Sequence, residues 1–206
     1  MIIIGVTGGV GAGKSEVLAY LADKWQAEVF RLDDIARELQ MPGESLYQLM
    51  VELGGNDVLD ENGRLDRRLF AEKMYRDEEL KKQINAAVHP AVRAETERRI
   101  ALCEEYGCPL CVIEAALLIE AGYRELCTEF WYVYASKETR RARLKGSRGY
   151  SDKLVDRIMA SQLSEEEFRK NTDFVLDNDS DFAHMAEQID RRAGELLHVK
   201  VTRRRR

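Results

Sequence analysis

The sequence predicts an α/β fold in which a five-stranded parallel sheet lies between layers of helices. Short apolar runs alternate along the 206 residues with segments whose apolar side chains recur at helical spacing. This alternation is typical of parallel βαβ units. A chain of this length suits a single domain, residues 1–206, with room for an inserted subdomain. The candidate strands are residues 2–6, 28–32, 110–115, 130–135 and 173–176.

The first strand leads into residues 8–15, which read G-G-V-G-A-G-K-S and are called the phosphate loop below. The spacing G-x-x-x-x-G-K-S is typical of a loop whose backbone N–H groups surround a polyphosphate. In that role Lys14 reaches the β- and γ-phosphates, and the Ser15 hydroxyl ligates Mg²⁺. The alternative is a glycine-rich turn with a spare lysine. The predicted nucleotide-binding residues are Gly8, Gly9, Val10, Gly11, Ala12, Gly13, Lys14, Ser15 and Glu16.

Two aspartates, Asp33 and Asp34, follow the second strand. A carboxylate at the carboxyl end of a parallel strand can orient or deprotonate a substrate hydroxyl. Alternatively, an aspartate here caps the helix that starts near Ile35. The two interpretations are compatible if each aspartate takes one role.

The gap between the second and third strands is too long for one crossover and predicts a helical insertion, residues 34–107. Ser45 and Gln48 suggest a capping box for a helix that stops at Gly54-Gly55. Such insertions at the carboxyl edge of a sheet commonly shape a pocket for a second substrate. We therefore expect an acceptor-binding subdomain here.

Two further helices are expected in the insertion, over residues 77–88 and 91–106. The predicted break lies at His89-Pro90, because proline suits the first turn of a helix and not its interior.

Residues 136–171 follow the fourth strand and are dense in arginine and lysine. A solvated helix face is one interpretation of such a charge run. The other is a lid that folds arginines over phosphates, with a flexible turn at Gly146-Ser147-Arg148-Gly149 between two helices. The phosphate loop favours the lid, and Arg143 and Arg148 are its candidate phosphate-binding residues.

The overall composition gives no sign of a nucleic-acid or membrane partner. The chain has 37 acidic and 32 basic side chains, a net charge of −5, and no apolar stretch of transmembrane length. Four cysteines without a signal-peptide pattern predict reduced thiols and a cytoplasmic location. Cys108 and Cys111 have the spacing of a redox pair or half a zinc site, but they lead into a strand and lack a second pair, so a structural role is favoured.

Other classes of nucleotide-binding protein usually carry a further signature beside the loop. The chain has no N-K-x-D guanine motif, no L-S-G-G-Q transporter motif and no long apolar run ending in D-E. Small-molecule kinases remain, since they need the loop, an acidic residue near the acceptor and an arginine lid.

The order of several segments is similar to that of one enzyme family. Besides the phosphate loop, the segments are residues 33–37, Gly63-Arg64-Leu65, His89-Pro90, residues 117–120, Arg157 with Gln162, and residues 173–178. Together they resemble dephospho-CoA kinase over almost the whole chain. The resemblance implies transfer of the ATP γ-phosphoryl group to the ribose 3′-hydroxyl of dephospho-CoA, with Mg²⁺, to give CoA and ADP.

The resemblance also implies roles for single residues. Asp33 matches the family's catalytic carboxylate, while Lys14, with the loop N–H groups, stabilises charge on the transferring phosphoryl group. Arg37, His89 and Leu117 would face dephospho-CoA, although a helix-capping or packed histidine is equally compatible at His89.

Glu114 follows the third strand, where related kinases carry an acidic residue that can hold a Mg²⁺-bound water. Glu120, nearby in sequence, could equally cap a helix or form a surface pair.

The chain departs from the family pattern at a few positions. Arg31 replaces the first aspartate of a D-x-D pair, Glu16 a threonine, Ala116 a proline and Arg140 a glutamine. Arg148 lies one residue closer to Gln162 than the family spacing.

Two competing hypotheses remain at this stage. One is a kinase for another small metabolite, against which the long insertion and His89-Pro90 argue. The other is a nucleotide-binding regulatory protein, marked by Arg31 and Glu16, against which Lys14, Ser15 and Asp33 argue. A monomer is the expected oligomeric state.

Overall fold

The computed structural model describes the backbone of residues 1–204 and the side chains of residues 1–198. Its sheet is built from β1 (Ile2–Thr7), β2 (Glu28–Arg31), β3 (Leu110–Glu114), β4 (Glu129–Tyr134) and β5 (Phe174–Asp177). The strand order is β2-β3-β1-β4-β5, and β1 pairs in parallel with both β3 and β4. The predicted α/β fold with a five-stranded parallel sheet is confirmed.

Helices connect the strands in the order that the sequence pattern predicts. They are α1 (Lys14–Trp25), α2 (Leu32–Leu39), α3 (Tyr47–Gly54), α4 (Arg67–Arg76), α5 (Glu78–Glu105), α6 (Lys137–Arg148), α7 (Asp152–Ala160), α8 (Glu165–Lys170) and α9 (Phe182–Arg204). Short 3₁₀ helices lie at Asn56–Val58 and Tyr123–Leu126.

The chain divides into two compact units. The first unit contains Met1–Val29 and Cys103–Arg206, and the second contains Phe30–Leu102. The insertion expected over residues 34–107 overlaps most of the second unit. Its acceptor-binding role stays a prediction, as does the lid role of residues 136–171.

In the first unit, alternate residues of the strands supply opposite faces of the sheet. Ile4 and Val6 lie in one buried cluster with Leu21 of α1 and Ile189 of α9. On the other face, the ring of Tyr132 stacks on Phe168 of α8, with 4.7 Å between centroids. Helices therefore cover both faces of the strands that end near the phosphate loop.

The second unit has a core of its own. Met50, Val58, Phe70, Leu80 and Ile84 form a buried cluster that joins α3, α4 and α5. Burying an aliphatic or aromatic side chain contributes roughly 1.5–3 kcal/mol. This cluster therefore holds the three helices together.

Helix α5 corrects the expectation of two helices separated at His89-Pro90. The helix runs without interruption from Glu78 to Glu105, with Pro90 inside it. Proline removes one backbone hydrogen bond and costs about 3 kcal/mol in a helix interior. Burial of Ile84 before the proline and of Val92 and Thr96 after it outweighs that cost.

Two predicted helix boundaries also differ from the structure. The N-cap of α3 is Leu46, without a side-chain cap, so Ser45 and Gln48 form no capping box; the helix does end at the predicted glycines. Gly146, Ser147 and Arg148 belong to α6, and only Gly149 forms the left-handed turn that ends it. The four arginines at residues 203–206 also suggest a disordered tail from sequence, but α9 continues as far as Arg204; Arg205 and Arg206 lie outside the described residues.

Candidate active site

The phosphate loop joins β1 to α1 through glycines that no other residue can replace without strain. Gly8 and Gly13 have φ values of 149° and 93°, a region that favours glycine. A Cβ on Gly8 would lie 2.6 Å from the Val133 carbonyl oxygen, and one on Gly13 would lie 2.1 Å from Asn178 Nδ2. The loop backbone therefore lies against β4 and the end of β5.

Helix α1 begins at Lys14, and its N-cap, Gly13, supplies no side-chain hydrogen bond. The first N–H groups of a helix lack intrahelical partners and carry the positive end of the helix dipole. This end of α1 is therefore suited to an anion. Ser15 and Glu16 are exposed on its first turn.

Lys14 is the first charged side chain of the site. Its Nζ donates to the Gly8 carbonyl oxygen at 2.9 Å. The same Nζ lies 3.6 Å from Glu114 Oε1, and both side chains are about 15% exposed, 14% for Lys14 and 15% for Glu114. The sequence-predicted loop lysine and the acidic residue after β3 thus form one ion pair.

Arg140 of α6 is the second charged side chain of the site. It was not among the site residues predicted from the sequence. Its Nε donates to the Val10 carbonyl oxygen at 2.9 Å, and its guanidinium donates to Gln162 Oε1 at 2.5 Å. The same Gln162 oxygen accepts the Val10 N–H at 3.2 Å. Burial lowers the pKa of the Arg140 guanidinium. None of the described carboxylates forms an ion pair with Arg140.

Arg143, one helical turn further along α6, also reaches the loop. It donates to the Ala12 carbonyl oxygen at 3.2 Å and to the Asn178 carbonyl oxygen at 2.9 Å. The buried Asn178 side chain donates to the same Ala12 oxygen at 2.8 Å. The end of β5 and the start of α6 thereby fix the loop from one side.

The remaining candidates of the first unit are not held at the loop by hydrogen bonds. Arg148 is exposed at the end of α6, with its guanidinium 5.9 Å from the centre of the Tyr150 ring. Leu117 lies in the turn after β3 and is 57% exposed. Glu120 is exposed in the same turn. Of the two predicted lid arginines, the structure thus brings only Arg143 into contact with the loop.

Three candidates belong to the second unit. Asp33 is exposed in the first turn of α2, directly after β2, and Arg37 pairs with Asp34 at 2.9 Å. The N-cap of α2 is Arg31, without a side-chain cap, so neither aspartate caps the helix as the alternative interpretation expected. His89 is exposed in the interior of α5 and is neither a cap nor packed.

Comparison with known proteins gives a consistent result. A family model described as dephospho-CoA kinase matches residues 2–184. A dephospho-CoA kinase from Geobacter sulfurreducens is 35% identical over 196 residues, which cover 95% of this chain and 97% of that protein. The chain belongs to the dephospho-CoA kinase family.

Solved structures share the fold of this chain. A crystal structure from Thermus thermophilus has a TM-score of 0.82 at 32% identity and covers 95% of this chain and 97% of its own. Dephospho-CoA kinase from Campylobacter jejuni has a TM-score of 0.72 at 20% identity, with 96% and 98% covered, and supports the fold alone.

A dephospho-CoA kinase needs a nucleotide site, and the residues at the loop fit one. The glycines of the phosphate loop leave no room for Cβ atoms, and Arg140 provides a positive charge beside the loop. Thr7, the last residue of β1, has a fully buried hydroxyl for which the structure shows no hydrogen-bond partner. A buried polar group without a partner is costly and often marks a ligand or water site.

The donor set also fits Mg²⁺. This ion prefers oxygen ligands and is commonly bound by one or two carboxylates together with substrate phosphates. Ser15 provides a hydroxyl on the first turn of α1 and Glu114 a carboxylate at the end of β3. Among the described residues there is no separate cluster of three metal-binding side chains, nor a helix long and apolar enough to cross a membrane.

Arg140, Gln162 and Asn178 are the site residues that sequence reasoning missed. Gln162 and Asn178 occur in segments on which the family resemblance rests, but no role was inferred for them. Arg140 was noted as a departure from the family pattern. The arginine density of α6 was a usable signal, but it could not single out the side chain that faces Val10, 130 positions earlier.

Proposed function

We propose that this protein transfers the γ-phosphoryl group of ATP to the ribose 3′-hydroxyl of dephospho-CoA, giving CoA and ADP. The observation that carries the proposal is the family match over residues 2–184. The phosphate loop held by Lys14, Arg140 and Arg143 supports it. The substrates are then two small molecules, and the reduced thiols favour a cytoplasmic location.

The loop side of the site would stabilise charge. In phosphoryl transfer the protein acts mainly by positioning the reactants and by stabilising the charge on the transferring group. Loop N–H groups at the start of α1 would bind phosphate oxygens, and Lys14, which donates to the Gly8 carbonyl oxygen in the structure, would bind the β- and γ-phosphates instead. Arg140 and Arg143 would add positive charge beside Val10 and Ala12.

Ser15 and Glu114 are the residues that would hold Mg²⁺. When bound, the ion neutralises charge on the phosphate oxygens. The ion pair between Glu114 and Lys14 at 3.6 Å supports this role, because it holds the carboxylate beside the phosphate loop.

Asp33 would act on the acceptor. Its carboxylate is exposed and has the position after β2 that the family resemblance assigns to the catalytic carboxylate. There it would accept the proton of the 3′-hydroxyl or orient that hydroxyl for attack. Arg37, His89 and Leu117 are exposed and would bind other parts of dephospho-CoA, while Arg148 would close over the phosphates.

The substitution Asp33→Asn tests this assignment. General-base and orienting carboxylates typically contribute about 10²- to 10⁴-fold to rate, so we expect kcat with dephospho-CoA to fall by that range. The dissociation constant of ATP, measured by calorimetry, should change less than about twofold, because Asp33 is assigned to the acceptor.

The neighbouring Asp34→Asn is the matched control. Asp34 forms an exposed pair with Arg37, and such pairs contribute about 0–1 kcal/mol, so kcat should stay within about threefold of the parent. Undiminished turnover in Asp33→Asn would remove Asp33 from the mechanism.

A further inference from the structure

The second unit contains a cavity between α4 and α5, which we call the α4–α5 cavity. Its volume is about 200 Å³. Phe70 and Met74 of α4 line it from one side, and Ile84 and Val88 of α5 from the other. Phe70 and Ile84 are 6% and 3% exposed and belong to the core of this unit. The floor of the cavity is therefore apolar and fixed by core packing.

The rim of the cavity is polar. Arg67 lines it from the first turn of α4, Gln40 from the end of α2 and Asn85 from α5. The structure shows no side-chain hydrogen bond or ion pair for any of the three among the described residues. Two amide groups and a guanidinium are thus available to a ligand.

Arg67 is the positively charged side chain that lines this cavity, and the charge of Arg37, which lies outside the lining, acts on it. Burial first, and then the neighbouring charge of Arg37, lower the pKa of Arg67. Arg37 has Asp34 as a partner, whereas no carboxylate pairs with Arg67 in the described chain. Like charges repel, and a bound anion offsets that repulsion by attracting both of them. Arg67, which lines the cavity and pairs with none of the described carboxylates, is therefore the group at this rim that could bind an anion.

We propose that the α4–α5 cavity binds the pantetheine arm of dephospho-CoA, and that Arg67 and Arg37 bind its diphosphate. The inference rests on the proposed function and goes beyond it by naming the residues that recognise the acceptor. The arm is a flexible chain with a branched apolar segment and two amides, which match the apolar floor and the rim of Gln40 and Asn85. The diphosphate, at one end of the arm, matches the two guanidiniums.

The size of the cavity supports the arm as occupant. Pockets that enclose a whole drug-sized ligand measure about 300–1,000 Å³. A cavity of about 200 Å³ is too small for the complete acceptor but suits a segment of a narrow chain. Recognition of the arm would also separate dephospho-CoA from simple adenine nucleotides, which share its ribose hydroxyl.

Two substitutions test the proposal through different parts of the site. Arg67→Gln removes the charge at the rim, and Ala71→Phe adds bulk at the cavity from an exposed position of α4. Each has a matched control. Arg68→Gln removes the adjacent arginine, which is exposed and paired with Glu72 at 3.0 Å. Ala101→Phe adds the same ring at an exposed position of α5 that does not line the cavity.

The probe is 4′-phosphopantetheine, which carries the arm and a phosphate but has no ribose. Its binding, measured by calorimetry, is therefore independent of phosphoryl transfer. We expect the parent protein to bind it, and Arg67→Gln and Ala71→Phe to weaken binding at least about tenfold. Arg68→Gln and Ala101→Phe should stay within about twofold.

Kinetics with dephospho-CoA provides the second measurement. Arg67→Gln and Ala71→Phe should raise the KM for dephospho-CoA about tenfold, with kcat and the KM for ATP nearly unchanged, because the arm is remote from the reacting hydroxyl. Thermal denaturation of each variant verifies that it is folded.

Different experimental results would contradict this proposal and the proposed function. If the parent phosphorylates dephospho-CoA but does not bind 4′-phosphopantetheine, or if neither Arg67→Gln nor Ala71→Phe alters binding or KM, the arm binds elsewhere. If 4′-phosphopantetheine binding follows the expected pattern but no transfer to dephospho-CoA occurs, the cavity assignment stands and the proposed function is wrong.

Discussion

Arg140 is a single side chain that holds positive charge next to the phosphate loop. Its guanidinium is bonded to the Val10 carbonyl and to Gln162, and neither partner is charged. A cation held by neutral acceptors keeps its charge available to an anionic ligand, whereas an ion pair would neutralise it.

Replacing Arg140 with alanine should therefore impair use of ATP. Loss of one preorganised donor for transition-state charge typically costs about 10²- to 10³-fold in rate. We expect kcat/KM for ATP to fall by about 10²-fold, measured by ADP release at saturating acceptor.

Arg141→Ala is the control for this measurement. Arg141 is the next residue along α6, but it pairs with Asp152 and Asp156 at the surface. Its removal should leave kcat/KM for ATP within about twofold, because exposed ion pairs contribute little. Equal losses in the two variants would mean that Arg140 acts only by supporting α6.

Glu95 is a second residue whose charge has a measurable effect. Its carboxylate accepts hydrogen bonds from Arg98 at 2.8 Å and from Arg99 at 2.7 Å. These hydrogen bonds lower the pKa of Glu95 from 4.5 to about 2. The folded state thus favours the ionised form more than the unfolded state does, and the resulting stability is fully present above about pH 4.5.

The substitution Glu95→Gln should reduce the free energy of unfolding by about 1–3 kcal/mol at pH 7. As pH falls through about 4.5 towards about 2, the parent carboxylate becomes protonated and the gap between parent and variant should narrow. Urea unfolding at several pH values measures this. Glu97→Gln, which removes an exposed pair with Arg93, should change stability by no more than about 1 kcal/mol. A gap that stays constant down to about pH 3 would contradict the assigned ionisation.

At the scale of elements, helix α5 shows where local sequence signals are overruled. Proline in position 90 predicts a break, yet the helix continues because apolar residues on both sides of it are buried. The same holds for α3, where Ser45 offers a side-chain cap but the helix begins one residue after Leu46, which is 6% exposed. Burial of Leu46 fixes the entry to α3 more strongly than a cap would.

Pro90→Ala tests the continuity of α5. Alanine restores an N–H that can bond to the carbonyl of Ala86, and proline costs about 3 kcal/mol in a helix interior. We expect the free energy of unfolding to increase by about 1–3 kcal/mol, measured in urea.

Pro42→Ala is the matched control, because Pro42 lies in a turn between α2 and α3. There the loss of proline should destabilise the protein by less than about 1 kcal/mol, through the greater freedom of the unfolded chain. If Pro90→Ala were as destabilising as Pro42→Ala, the helix would not be continuous at this position.

Strands were easier to predict than helix boundaries. All five apolar runs form strands, within about two residues of the predicted ends. The signal is most continuous in β1, β3 and β4, which are buried on both faces. Helix ends depend on contacts that the local sequence does not contain. Gly146 is a helix breaker by composition, but it lies within α6, where Leu144 is buried and anchors the last turns.

At the scale of the whole molecule, the candidate site combines one local motif with distant partners. The phosphate loop could be predicted because its glycines, Lys14 and Ser15 are consecutive in sequence. The residues that support it could not, since Gln162 meets Val10 across 152 positions and Asn178 meets Ala12 across 166. Only the fold brings α6, α8 and the end of β5 to the loop.

In the second unit, too, some features could be predicted from the sequence and others could not. Its helical character and its approximate limits follow from the sequence, because the gap between β2 and β3 is long and has helical periodicity. The α4–α5 cavity could not be predicted from the sequence. It is formed by side chains such as Phe70 and Val88, whose apolar character equally predicts a filled core.

Dephospho-CoA is the phosphoryl acceptor that we propose for this protein. The most direct test is ADP release from ATP and Mg²⁺ with dephospho-CoA, beside adenosine monophosphate, a sugar and a control without acceptor. We predict release only with dephospho-CoA, accompanied by formation of CoA. Release with another acceptor in place of dephospho-CoA, or nucleotide binding without any transfer, would contradict the account.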